Sequence, residues 1–116
     1  MKRQLAEDRG RRAEDMAAQY FERHGWTILD RRRKTKLGEI DLIARRNNLI
    51  AFIEVKWRKR PADLDLAIDE RRLARVAATV EAVGHEYATA GEDMRIDVLL
   101  LAPGCEPRHI VNAWQP

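Results

Sequence analysis

Two stretches of the chain carry apolar residues at the spacing of an amphipathic helix. The first runs from about Leu5 to His24, and Gly25 follows it in the position of a C-cap. The second runs from about Leu66 to Val83, with Gly84 as its expected end. The buried stripes comprise Ala13, Met16, Ala17, Tyr20 and Phe21 in the first helix and Ile68, Leu73, Val76, Ala77, Val80 and Val83 in the second.

Short runs rich in β-branched residues predict strands between and after the helices. Trp26–Leu29 is the first and leads into a basic segment. The other four are Ile40–Ala44, Leu49–Val55, Met94–Leu101 and an edge strand over Arg108–Trp114. The order α-β-β-β-α-β-β predicts an α/β fold, in which helices cover a mixed sheet and residues 1–116 form a single domain.

The second and third strands predict a hairpin that brings acidic residues together. Asn47 and Asn48 suit a two-residue turn, since Asn tolerates positive φ. Asp41 then faces Glu54, and Glu39 faces Lys56, all on one side of the sheet. Directly opposed carboxylates repel, but a bound cation would make their proximity favourable. A solvated polar face is the alternative, and the accompanying lysine favours a metal site.

The positions of the charged residues say more about a nucleic-acid partner than the net charge does. The 116 residues include 22 Lys and Arg and 19 Asp and Glu, an excess too small to prove a nucleic-acid partner. Basic segments at 31–36 and 56–60 nevertheless bracket the acidic hairpin. Such an arrangement would lead a phosphate backbone onto a metal site. Two solvated loops explain the same segments equally well. On the second helix, Arg71, Arg72 and Arg75 are likewise expected to form a solvated outer face.

Several classes of protein are excluded by what the chain lacks. There is no serine, so a serine hydrolase is excluded. Cys105 is the single cysteine, which excludes an internal disulfide and favours a reducing, cytoplasmic location. There is no apolar signal core or run of membrane-spanning length, and the three histidines lack zinc-ligand spacing.

The acidic motif resembles that of a known nuclease superfamily. Glu14 in a helix, Asp41 in a strand and Glu54-x-Lys56 in the next strand resemble the PD-(D/E)xK nucleases, which share a restriction-endonuclease-like core. GEIDLIA at 38–44 and FIEVKWR at 52–58 are similar to the YraN-like family, which is related to archaeal Holliday-junction resolvases. That similarity extends over nearly the whole chain. The basic run 31–33 departs from it, because many members carry Asn and aromatic residues there.

The resemblance implies a metal site and a set of roles. Asp41 and Glu54 would hold Mg²⁺ or Mn²⁺ with the Val55 carbonyl, and Glu14 is a further catalytic candidate, although periodicity alone favours an exposed acid there. Lys56 would orient the attacking water or neutralise charge. Glu39 either joins this group or only pairs with Lys56. The expected nucleic-acid contacts are Arg32, Lys34, Lys36 and Arg58.

Other side chains of the same region have simpler expected roles. Strand alternation places the Trp57 side chain on the face of the sheet opposite the acidic residues, which indicates a position in the core or on a dimer surface. Asp97 and His109 are expected to be structural, forming an edge salt bridge and a loop-fixing hydrogen bond.

The expected function is metal-dependent hydrolysis of DNA phosphodiester bonds, with branched or junction DNA as the implied substrate. A symmetric homodimer would suit junction cutting, because two matched incisions need two sites. Two other functions stay open on the same fold, namely a non-catalytic nucleic-acid-binding module and a protein-interaction factor.

Overall fold

A mixed sheet forms the middle layer of the computed structural model, which describes residues 2–114 and the side chains of residues 10–114. Five strands occur in this part of the chain, and they are ordered β1-β2-β3-β4-β5 across the sheet. They are β1 (Thr27–Lys34), β2 (Glu39–Arg46), β3 (Leu49–Trp57), β4 (Asp93–Leu101) and β5 (Arg108–Ile110). With helices α1 (Lys2–Arg23) and α2 (Glu70–Val83), the observed order confirms the expected fold class.

Only the β3–β4 pair is parallel within the described sheet, and the other neighbouring pairs are antiparallel. A parallel pair needs a crossover connection, which here contains α2. The crossover places α2 on one face of the sheet while α1 covers the other. In the part of the chain that the structure describes, no helix is long and apolar enough to cross a membrane.

The β2–β3 hairpin has the predicted turn and register. Asn47 has a φ of 54°, a left-handed conformation that Asn adopts more readily than most residues. Cross-strand partners run from Arg46 and Leu49 to Leu42 and Ile53, as the two-residue turn requires. The pairing of β2 with β3 ends at Leu42 and Ile53, so the neighbouring residues Asp41 and Glu54 lie just beyond the β2–β3 ladder.

Strand alternation divides the apolar residues between two cores. On β3, Phe52 faces α2, whereas Ile53 faces α1. The α2 core includes Leu73, Val76 and Val80, and the α1 core includes Ala17 and Phe21, as the helical stripes predict. Met16 was also predicted in the α1 stripe, but it is 48% exposed and belongs to neither core. Both faces of the central strands are therefore buried, and these strands hold the polar residues at their ends in fixed positions.

The bounds of the first and last strands differ from those predicted. β1 continues through the basic segment to Lys34, because a register shift between Ile28 and Asp30 allows it to stay paired with β2. β5 ends at Ile110, two residues before Asn112, which has a φ of 55° that interrupts an extended strand.

The second helix begins later than predicted, but it ends at Val83 with Gly84 as its C-cap, as predicted. Residues 61–66 form a 3₁₀ helix, and α2 begins at Glu70 after Asp69, whose carboxylate accepts a capping bond from the N–H of Arg71. Ile68 therefore lies outside α2 and is 38% exposed. Gly84 has a helical φ of −55° and continues into a short 3₁₀ turn. A Cβ at Gly84 would lie 2.7 Å from Met94 Sδ, so a larger residue there would require the Met94 side chain to move.

Asp97 anchors the far edge of the sheet from a fully buried position on β4. Its carboxylate accepts two bonds of 2.8 Å from the Arg95 guanidinium. It also contacts His109 Nε2 at 2.7 Å and accepts a 2.9 Å bond from the N–H of Asn112. Burial alone would raise the pKa of Asp97, but these partners lower it overall. The predicted structural roles of Asp97 and His109 are confirmed by these contacts.

Asp97→Asn is expected to lower the free energy of unfolding by about 3 kcal/mol, because it leaves Arg95 without its buried counter-charge. Urea unfolding measures this change. Asp65→Asn is the matched control, since Asp65 pairs with Arg108 on the surface and such pairs contribute below about 1 kcal/mol. Equal losses in the two variants would contradict the anchoring role of Asp97.

Candidate active site

A cleft of about 480 Å³ opens where α1, β1, β2, β3 and α2 converge. It combines acidic and basic side chains with a few apolar ones. Its lining comprises Gly10, Ala13, Glu14, Arg32, Lys34, Glu39, Asp41, Glu54, Val55, Lys56, Trp57, Arg58 and Arg72. The structure thus brings together every residue that the sequence suggested for the site except Lys36, which is exposed and lies outside this lining.

Asp41 lies at the centre of the cleft and is only 6% exposed. Its Oδ2 accepts a hydrogen bond of 2.8 Å from the N–H of Val55, which fixes the carboxylate beyond the end of the β2–β3 ladder. Burial first, and then the neighbouring Glu54 carboxylate, raise the pKa of Asp41 to about 7, against the opposing effect of the Val55 hydrogen bond. The two carboxylates therefore meet as the hairpin predicted.

Glu54 is 2% exposed, and its two oxygens have different surroundings. Oε1 lies 3.0 Å from Arg72 Nε and 3.6 Å from Lys56 Nζ. Oε2 is buried and has no hydrogen-bond partner among the described residues. A buried acceptor without a donor costs roughly 1–3 kcal/mol, so this atom is suited to a cation.

Arg72 was not recognised from the sequence as a site residue, and its interpretation as part of a solvated face is wrong. Its guanidinium binds Glu54 in the cleft. The signal was present, because Arg72 lies four residues before Val76 and therefore on the buried stripe of α2. A charged residue on such a stripe needs a partner in the sheet beneath it.

Glu14 and Glu39 form a three-carboxylate group with Asp41, and one oxygen of each lies within 4.8 Å of the others. The periodicity-based interpretation of Glu14 as an exposed acid is wrong, since its side chain is 13% exposed. Burial raises the pKa of Glu14, although Arg32 opposes the rise. In the described structure Lys56 pairs with Glu54, so the suggestion that Glu39 serves only as the ion-pair partner of Lys56 is also wrong.

Arg32 neutralises this acidic group in the present structure. Its Nε donates a hydrogen bond to Glu14, and Glu39 and Asp41 also stabilise its charge. The guanidinium therefore has a carboxylate partner in this structure, and its phosphate contact stays a prediction. Gly10 faces it from α1, where a Cβ would lie 3.9 Å from the guanidinium. A cation bound by this group would compete with Arg32 for Glu14.

The backbone of Arg32 explains why this contact was not foreseen. Its φ of 54° is uncommon for a residue other than glycine. This conformation interrupts strand alternation, so Arg31 and Arg32 both contact α1, at Asp15 and Glu14. Arg33 instead binds Glu86 at 2.8 Å on the other side of the sheet.

The remaining predicted residues occupy two kinds of position. Lys34 and Arg58 line the cleft. Trp57 also borders it while packing against the α1 core, in agreement with the predicted orientation of its ring. Val55 lies beside the acids, and its carbonyl remains a predicted metal ligand.

The residues of the cleft fit a divalent cation. Mg²⁺ and Mn²⁺ favour carboxylate oxygens, and Asp41 contacts acids on both sides. The unpartnered Oε2 of Glu54 is the oxygen that most requires a positive partner. Asp41 is common to the pair with Glu54 and to the group with Glu14 and Glu39, so it is the expected central ligand.

The fold is that of the restriction-endonuclease-like class. Archaeoglobus fulgidus Hjc, a Holliday junction resolvase of solved structure, superposes with a TM-score of 0.60 and 16% identity. The match covers 86% of this chain and 73% of that one. At this identity the likeness establishes the fold alone.

The chain belongs to the uncharacterised protein family UPF0102, which it matches over residues 13–101. UPF0102 proteins of Erythrobacter litoralis and Sphingopyxis alaskensis are 63% and 56% identical to it, and each alignment covers both chains completely. These matches confirm the predicted YraN-like family.

Asp41→Asn is expected to change how stability depends on pH in the absence of metal. The folded pKa of about 7 exceeds the ordinary 3.8, so the folded protein retains a proton that the unfolded chain releases. The stabilisation is complete below the ordinary value and is lost as the pH rises through about 7. Between pH values near 5 and 8, the wild type should therefore lose about 2 kcal/mol relative to the variant.

Urea unfolding with a chelator at both pH values measures this difference. A free-energy difference between the two proteins that is independent of pH would contradict the protonation of a buried Asp41.

Proposed function

We propose that this protein is a divalent-metal-dependent endonuclease that hydrolyses phosphodiester bonds of branched DNA. The observation that carries the proposal is the meeting of Asp41 with Glu54, whose Oε2 is buried and unpartnered, at the floor of a cleft with basic walls. A structural role would favour neutral or fully paired side chains at such depth. The Holliday junction resolvase of similar fold supports branched DNA as the substrate class.

Asp41 and Glu54 hold the metal, and Glu14 lies on the α1 side to complete its carboxylate ligands. A bound Mg²⁺ or Mn²⁺ lowers the pKa of a coordinated water and stabilises charge on the phosphate. The bond from Val55 to Asp41 fixes one ligand in advance of binding. A metal held by Glu14 would compete with Arg32 for this carboxylate, and a released Arg32 guanidinium would be available to a DNA phosphate.

Lys56 positions the attacking water or neutralises the developing negative charge. Its Nζ lies 3.6 Å from Glu54 Oε1, close enough to act on the same phosphate as the metal. Its side chain is 17% exposed, so its stem is held while the amine faces the cleft. Lys34 and Arg58 line the approach of the DNA strand, and Lys36 contacts it outside the cleft.

A homodimer would place two such clefts on one four-way junction, and paired incisions follow from that symmetry. The number of incisions made per binding event tests whether the protein acts as a dimer, since a dimer should make two. Nicked and doubly cut junctions are separable on a denaturing gel.

Purified protein with Mn²⁺ is expected to cut a four-way DNA junction faster than a linear duplex of the same sequence. Asp41→Asn and Lys56→Ala should each lower the cleavage rate at least about 100-fold, because each removes a group that acts at the reacting phosphate. Lys59→Ala is the matched control, since Lys59 is exposed and lies outside the cleft lining. Gel assays of labelled strands measure the rates.

Two results would contradict the proposal. Absence of Mn²⁺ binding in calorimetry together with absence of cleavage would exclude a metal nuclease. Salt-sensitive DNA binding that persists in Asp41→Asn, without cleavage by the wild type, would instead identify a non-catalytic DNA-binding module.

A further inference from the structure

A second cavity of about 310 Å³ adjoins the cleft on the side of α2. Three residues line both spaces, namely Lys34, Glu39 and Arg72. The second cavity also reaches Thr35, Gly38, Arg75 and Val76. Because the shared residues form a common border, a polymer bound in the cleft can continue into the second cavity.

The basic residues of the second cavity differ in how far their charges are already neutralised. Arg72 is bound to Glu54. Arg75 and Lys34 are exposed, and neither forms a salt bridge with any side chain from residues 10–114. Arg31, Arg32 and Arg33 all have acidic partners. The cavity therefore presents two cations that are available to an external anion.

The wall that carries these cations is held in place by backbone contacts. The N–H of Thr35 donates to the Gly38 carbonyl at 2.8 Å, and Thr35 Oγ1 accepts from the N–H of Leu37 at 3.0 Å. Gly38 packs directly on α2, where an added Cβ would lie 3.2 Å from Thr79 Oγ1 and 3.5 Å from Arg75 Cβ. The turn and the base of the Arg75 side chain are thus fixed relative to each other.

We propose that this second cavity binds another phosphate of the DNA strand whose scissile phosphate lies in the cleft, with Arg75 and Lys34 as its cationic contacts. The inference rests on the proposed nuclease function. It extends the DNA path along α2 to Arg75, which the sequence indicated only as part of a solvated face, whereas Lys34 was already a predicted nucleic-acid contact. It also defines the direction in which the strand leaves the site.

Glu39 makes the subsite dependent on metal. Its carboxylate lines the second cavity and also belongs to the acidic group with Glu14 and Asp41. A divalent cation in that group neutralises Glu39, which removes repulsion from a nearby phosphate. The contribution of Arg75 to DNA affinity should therefore be larger with Ca²⁺ than with a chelator.

The test is the affinity of a labelled four-way junction, measured by fluorescence anisotropy over a range of salt concentrations with Ca²⁺. Arg75→Ala and Lys34→Ala should each weaken binding about 3- to 10-fold and lower the salt slope by about one, as expected for a lost phosphate contact. Arg71→Ala is the matched control, because Arg71 is exposed on α2 and lines neither cavity. Arg75→Lys should restore most of the slope.

Alanine retains the Cβ that packs near Gly38, so Arg75→Ala should fold normally, and its thermal midpoint verifies this. If Arg75→Ala binds like Arg71→Ala, the subsite is refuted even where the wild type cleaves DNA. If the wild type never cleaves but the Arg75 effect is present, the subsite stands and the nuclease proposal fails. Inorganic phosphate that binds in an Arg75-dependent manner without any effect of Arg75 on DNA affinity would identify a small-anion site and overturn the proposal.

Discussion

The arrangement of the whole cleft depends on burying carboxylates next to one another. Asp41 and Glu54 are 6% and 2% exposed, and each would repel the other if both were ionised without a partner. The protein limits this repulsion by burial that favours a proton on Asp41, by the N–H of Val55 and by cations on Glu54. Once Asp41 is ionised, one buried oxygen of Glu54 has no donor among the described residues. The carboxylates are therefore already positioned without a metal, and Glu54 retains an oxygen that a cation could bind.

The same ion pairs connect the layers of the fold. Arg32 joins β1 to α1 through Glu14, and Arg72 joins α2 to β3 through Glu54. Each helix thus contributes a charged side chain to the cleft, and the ion pair of that side chain helps to hold the helix against the sheet.

The hairpin was predictable from the sequence because its determinants are local. Two asparagines specify the register of the paired residues as far as Leu42 and Ile53, and this brings the next residues, Asp41 and Glu54, to neighbouring strand ends. The contacts of Arg32 were not predictable, since they depend on a left-handed residue within a strand. Periodicity alone favours an exposed Glu14, because it describes the helix without its neighbours, whereas the burial results from packing beside the sheet; only the family resemblance indicates a role in the site. Arg72 lay on a buried stripe, and its charge should have indicated a partner.

The central claim is that the cleft formed by Asp41, Glu54 and Glu14 is a divalent-cation site. Anomalous diffraction from a crystal soaked in Mn²⁺ tests it most directly, since it locates the ion without reference to activity. We expect a peak within bonding distance of the carboxylates of Asp41 and Glu54, with Arg32 displaced from Glu14, and no peak in Asp41→Asn crystals. A fully soaked crystal that shows no peak there, with Arg32 and Arg72 still bound to their carboxylates, would contradict the account.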